Sequence, residues 1–183
     1  MLLIISDAFG ITGNLGANQI EAILDHFGNW ALRFIMIALT VTPLRQLTSW
    51  NWLSYFRRML GLFAFFYAFM HFFVWLVLDK ELRFNEILED LIERPFITLG
   101  FTAVVLLTAL AITSFMAIRQ YMNKHWQSLH NMIYVIAILS VWHYWWQVKK
   151  DITEPLVYAV ILFALITVRL AYYWKQRQLR ISE

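Results

Sequence analysis

Cysteine is absent from the 183-residue chain. Its absence excludes structural disulfides, iron–sulfur clusters, thiolate-ligated metal centres and cysteine nucleophiles. Charge is scarce as well: 15% of the residues are charged and 61% hydrophobic, with 9 Trp, 8 Tyr and 15 Phe. A soluble domain of this size carries more charge, so the composition is that of a membrane protein. The formal net charge of +3 comes from basic residues scattered between apolar runs, with no basic patch, which argues against a nucleic-acid partner. No repeat of fixed period, low-complexity stretch or soluble domain is apparent. The opening MLLII is too short to span a bilayer and lacks the basic n-region of a signal peptide.

What is present is a series of apolar runs at 27–44, 59–78, 95–118, 128–148 and 155–174, each near the roughly 20 residues that cross a hydrocarbon core. They predict an all-α, polytopic transmembrane helical bundle with five full spans, a single domain over 1–183. Residues 1–26 form an outer-face segment, loop-like with one short helix around Gln19–Leu24, and His26 reads as a solvated loop histidine. The first span is expected to end at Thr42-Pro43, because proline discourages helix at the residue before it. Arg45, Arg57 and Arg58 beside Trp50, Trp52 and Tyr55 read as an interfacial segment. Between Asp79 and Arg94, the spacing of Phe84, Ile87, Leu88, Leu91 and Ile92 predicts an amphipathic helix on the membrane surface.

Orientation follows from Lys and Arg near the span ends. Arg45, Arg57, Arg58, Arg119, Lys124, Arg169, Lys175, Arg177 and Arg180 gather on one face, and Arg33, Lys80, Arg83, Arg94, Lys149 and Lys150 on the other. The excess on the first face places the C-terminus inside and the N-terminus, as given, outside. All acids except Glu183 then fall on the outer side.

Three histidines interrupt these spans. His71 lies seven residues from the outer end of its span and His143 five from the outer end of its own, depths of about 10 and 8 Å. Intramembrane imidazoles are costly unless used, and two at matching depth on two helices can clamp one haem iron from opposite sides. With no cysteine for a C-x-x-C-H attachment, such a haem is b-type, and a bis-histidine iron has no open position for a substrate. His130 lies thirteen residues before His143, about 20 Å further in if the segment is one straight helix. There the facing helix offers only Arg57, Arg58 and Met59, so a second haem needs His125, a methionine, water or a shared ligand, and a structural hydrogen-bonding role stays open. Gly61, the one glycine in the His71 span, permits close approach of a helix or a flat macrocycle.

The run RRMLGL at 57–62, the lone histidine in FMHFF, RPFITLG at 94–100, and HWQSLHN followed by WHYWW together resemble the haem-binding membrane subunits of the bacterial periplasmic methionine sulfoxide reductase system. That family, MsrQ or YedZ, belongs to the wider ferric-reductase-like transmembrane group. The resemblance implies an inner-membrane bundle of six helices that binds haem b and a flavin mononucleotide. Members take electrons from the quinone pool or a cytoplasmic flavin reductase. They pass them to a periplasmic molybdenum-containing subunit, which reduces methionine sulfoxide in oxidised proteins. It also implies that His71, His143 and His130 are the haem-associated, metal-binding histidines. Arg57 and Arg58 are candidates for the flavin phosphate, and positive-inside anchoring explains them equally well. MLLII then corresponds to the outer end of the family's first helix, so either the start is assigned late or this member works with five full spans plus a truncated first helix. Two other readings share some of these features: a ferric or quinone-linked reductase of the same fold, and a small transporter whose histidines relay protons.

Overall fold

The computed structural model describes residues 18–148 and 151–181; the expectations for MLLII, the rest of 1–17, Lys149 and Lys150 lie outside them. Every described element is helical: α1 (Gln19–Thr48), α2 (Leu53–Val74), a π-helical turn (Trp75–Asp79), α3 (Phe84–Glu93), α4 (Pro95–Ile112), α5 (Met116–Met122), α6 (Lys124–His130), α7 (Ile133–Gln147) and α8 (Thr153–Ile181).

Helix α1 absorbs both the short helix expected near Gln19 and the first span, so His26 lies in a helix and not in a loop. Its start is fixed by Asn18, whose Oδ1 accepts from Glu21 N–H at 3.3 Å while its Nδ2 donates to Glu21 Oε2 at 3.0 Å. That is a reciprocal cap of the kind that satisfies the free donors of a first turn. The helix also runs through Pro43, where the sequence suggested it would stop. Pro43 is buried, and α1 packs along α2, so tertiary contacts outweigh the single hydrogen bond that proline forfeits. Helix α1 ends at Ser49, in the left-handed conformation at φ 61°, with its N–H on Arg45 O.

Two expected spans are divided. Helix α4 stops at Ile112 and does not continue to Ile118. Thr113 Oγ1 donates to Ala109 O at 2.7 Å and Ser114 Oγ to Leu110 O at 2.8 Å, while Trp126 Nε1 takes the Thr113 carbonyl at 2.8 Å. The Ala109 carbonyl still accepts the Thr113 N–H at 3.1 Å, but Ser114 N turns to Ala111 O at 3.1 Å and the indole occupies the Thr113 carbonyl that would have continued the helix. The run 128–148 breaks at Asn131–Met132, where Met132 N bonds Leu129 O at 2.9 Å in a tightened turn. Among the described residues, four helices are long and apolar enough to cross a membrane: Gln19–Thr48, Leu53–Asp79, Pro95–Ile112 and Thr153–Leu179. The 15 residues of α7 are too few to do so alone.

Helices α1, α2, α4 and α7 form the core, with Ala31, Leu32, Ile35 and Leu39 meeting Ala64, Ala68, Ala103, Leu107, Ile136 and Ala137. Small residues dominate on α2, which lets the backbones approach closely where packing has to replace the hydrophobic drive lost in lipid. The opposite faces carry exposed Phe63, Phe66, Phe69, Phe73 and Phe163, the composition of a lipid-facing surface.

The amphipathic helix is present as α3, with Ile87 and Asp90 turned inward and Phe84, Leu88 and Ile92 outward. Asp90 is 7% exposed and pairs with both Lys80 and Arg94, tying α3 to the turns on either side. Removing one partner of a buried ion pair strands the other. Asp90→Ala is therefore expected to destabilise this end of the bundle by about 3 kcal/mol, read as a lowered unfolding midpoint in detergent. An unchanged midpoint would show that the pair is solvated in practice.

Candidate functional site

His71 near the end of α2 and His143 near the end of α7 meet with ring centroids 6.2 Å apart and planes crossed at 82°. Each ring is tethered by a backbone carbonyl: Nδ1 of His71 lies 2.9 Å from Leu24 O on α1, and Nδ1 of His143 lies 2.7 Å from Phe96 O on α4. A carbonyl only accepts, so both Nδ1 atoms carry the proton and both Nε2 lone pairs are free. Metal–imidazole bonds of about 2 Å place the centres of two rings that share one ion about 6 Å apart, which the observed separation matches. Among the described residues no three His, Cys, Asp or Glu side chains converge to hold a bare ion. Two imidazoles at this spacing suit a group that brings its own equatorial donors, as an iron porphyrin does.

The remaining sequence candidates gather elsewhere. Arg57, Arg58 and His130 line one cavity of about 400 Å³ together with Arg119, Tyr134 and Arg169, and among the described residues no carboxylate lines it. His130 is held on two sides. It stacks on Trp126 with centroids 3.9 Å apart, and its Nε2 lies 3.1 Å from Thr113 Oγ1. Because that hydroxyl already donates to Ala109 O, Nε2 is the donor here, the reverse of the tautomer at His71 and His143. No second histidine lines this cavity. Gly61 borders it with nothing within 4 Å of where a Cβ would stand, so the close helix approach suggested for it does not occur.

Four contributors were missed in the sequence. Arg119 lies over the Trp126 ring at 4.6 Å and Arg169 over Tyr134 at 4.8 Å. Arg169 carried a signal, since it stands inside an apolar run, where an arginine is functional by default. The carbonyls of Leu24 and Phe96 carried none, because every residue has one.

Apolar helices enclosing paired imidazoles define a polytopic membrane protein. Its class is ferric-reductase-like: the family model described as ferric reductase like transmembrane component matches residues 27–141. Curated relatives are more specific. The protein-methionine-sulfoxide reductase heme-binding subunit MsrQ of Herminiimonas arsenicoxydans is 48% identical over 172 residues, covering 92% of this chain and 79% of that protein. The subunit of the same name from Ralstonia nicotianae is 42% identical over 169 residues, covering 91% and 78%. That of Xanthomonas campestris pv. campestris is 47% identical over 166 residues, covering 91% and 75%. The chain belongs to this MsrQ family within the ferric-reductase-like transmembrane proteins.

Proposed function

We propose that this protein is the haem-binding, electron-transferring membrane subunit of a methionine sulfoxide reductase system. It carries one haem b between His71 and His143 near the outer face of the bacterial inner membrane. The observation that carries this reading is the pair of crossed imidazoles, 6.2 Å apart and both protonated on Nδ1. When bound, the haem supplies one-electron storage at a six-coordinate iron with no position for a substrate. The chain's own part is to hold the two Nε2 lone pairs face to face and to exclude water with α1, α4 and the aromatic side chains around them.

The inner cavity takes the flavin mononucleotide, with Arg57 and Arg58 on its phosphate and His130 in its wall. Four arginines without a facing carboxylate, in about 400 Å³, support an anionic organic occupant there. A flavin supplies the exchange between two-electron and one-electron donors. Electrons then enter from quinol or a cytoplasmic flavin reductase at the basic inner face, with the C-terminus cytoplasmic. They leave at the acidic outer face to a periplasmic molybdenum-containing reductase, which repairs oxidised periplasmic proteins.

The test is a visible spectrum of the protein purified in detergent, oxidised and then reduced, with a haem-to-protein ratio. A sharp α-band and a ratio near one are expected, followed by reoxidation on adding the molybdenum-containing partner with methionine sulfoxide. A colourless preparation from haem-replete cells would overturn the haem reading. Reoxidation by a soluble iron chelate but not by that partner would favour a ferric reductase of the same fold, the reading suggested by the wider family match.

A further inference from the structure

The two halves of the histidine clamp are built alike. The hydrogen bond from His71 to Leu24 O and that from His143 to Phe96 O each span 47 residues. The second unit repeats the first 72 positions further along, pairing Leu24 with Phe96 and His71 with His143. Burial follows the same register: Ala31 with Ala103, Ile35 with Leu107, Ala38 with Leu110, Leu39 with Ala111 and Ala64 with Ile136 are all buried. Helices α1 and α2 thus share a 72-residue register with α4 and α7, although few identities remain and the second half is broken where the first is continuous. The two halves diverge at the inner end, where Arg58 stands at the position that corresponds to His130.

One of the surviving identities is Gly28 with Gly100. A Cβ built at Gly28 would lie 3.1 Å from His71 Nδ1 and 3.2 Å from its Cε1; at Gly100 it would lie 2.9 Å from both Nδ1 and Cε1 of His143. Each glycine follows by four residues the carbonyl that its histidine uses. In an α-helix that carbonyl already accepts from the N–H four residues on, and its second lone pair can be reached only past the side chain at that position. Glycine inside a helix costs about 1 kcal/mol relative to alanine, yet it occupies both equivalent places. Gly61, within 4 Å of nothing, shows that contact with a ring is not a general property of the helical glycines here.

We propose that Gly28 and Gly100 are the positioning residues of the clamp, each opening a helix groove so that one carbonyl sets the tautomer and plane of an axial histidine. The proposal rests on the haem reading of His71 and His143. The Nδ1–H···O bond makes each imidazole a stronger donor to the metal, and the carbonyls fix the ring planes at 82°. An added methyl pushes the ring off its carbonyl, which weakens that donation and turns the plane.

The experiment compares wild type, Gly28→Ala, Gly100→Ala and, as a control at an exposed position of α8 outside both sites, Ala171→Gly, each purified with its haem. Potentiometric titration and low-temperature EPR of the oxidised state are read on each. Wild type is expected to give the strongly anisotropic low-spin signal of crossed imidazoles. Gly100→Ala, with the tighter contact, should shift that signal toward the rhombic form and raise the reduction potential, with Gly28→Ala changing both in the same direction but less. Ala171→Gly changes helix propensity alone by a similar amount in the opposite sense, so it should leave both unchanged. Wild-type signal and potential in both clamp variants would overturn the proposal, as would shifts of equal size in Ala171→Gly. If neither clamp variant accumulates, a rhombic wild-type signal overturns it and a strongly anisotropic one supports the locked planes. A colourless wild type would sink the haem reading itself, a different result from any of these.

Discussion

His71→Ala or His143→Ala should strip the haem, lowering the haem-to-protein ratio from near one by more than about tenfold. Even partners outside the metal's coordination sphere change affinity by about ten- to a hundredfold, and these substitutions remove a ligand outright. Neither ring has a substitute within the clamp, since the third intramembrane histidine, His130, lines the separate inner cavity. The remaining imidazole would hold a five-coordinate iron at most, so any residual pigment should lose its sharp six-coordinate α-band. Free imidazole added during growth or purification should restore part of the colour, because the space left by the ring admits one. That rescue separates ligation from packing: a general collapse would not respond to imidazole. Normal haem content in both variants would remove the clamp from consideration. By contrast, His130→Ala is expected to keep the full ratio and the α-band, and loss of its haem would make His130 an iron ligand after all.

Charge reversal at the inner cavity is expected to be the second large effect. Arg58→Glu places a carboxylate among Arg57, Arg119 and Arg169 in a cavity that otherwise has none. A charge-assisted hydrogen bond is worth about 1.5–3 kcal/mol, so losing one from a bound phosphate weakens flavin about tenfold to a hundredfold. Repulsion from the new carboxylate adds to that. Flavin fluorescence released from the purified protein, and titration of the stripped protein with flavin mononucleotide, measure the change. Reduction of the haem by dithionite should stay intact while reduction through the physiological donor slows, because the defect lies upstream of the clamp. Unaltered flavin affinity in Arg58→Glu, and in Arg57→Glu beside it, would show that these arginines serve as interfacial anchors.

The sequence carried the chemistry of the site further than its architecture. His71 and His143 stood out because an imidazole in hydrocarbon is costly, and counting residues from the span ends gave them matching depths. Helix ends were harder to read. Pro43 stopped α1 on local rules, yet α1 continues because its packing on α2 outweighs one lost bond. Thr113 and Ser114 look like ordinary membrane hydroxyls, and only the Trp126 indole on the Thr113 carbonyl explains why α4 ends there. The 72-residue correspondence escaped detection because what repeats is which positions are buried. Ile35 with Leu107 or Ala64 with Ile136 keeps the packing role without keeping the letter. Gly28 and Gly100 read as flexible punctuation until the ring beside each is seen.

The division of the core into two helix pairs bears on how the protein is made. Most packing lies within α1–α2 and within α4–α7, with less between them. One histidine of the proposed clamp therefore enters the membrane with the first pair, while the other is translated only much later. On the haem reading, the porphyrin site forms only once both pairs have been inserted and docked, which makes cofactor capture a late assembly step. Ligand binding to the joined state stabilises it by mass action. The amount of intact protein in a cell should accordingly follow its haem supply.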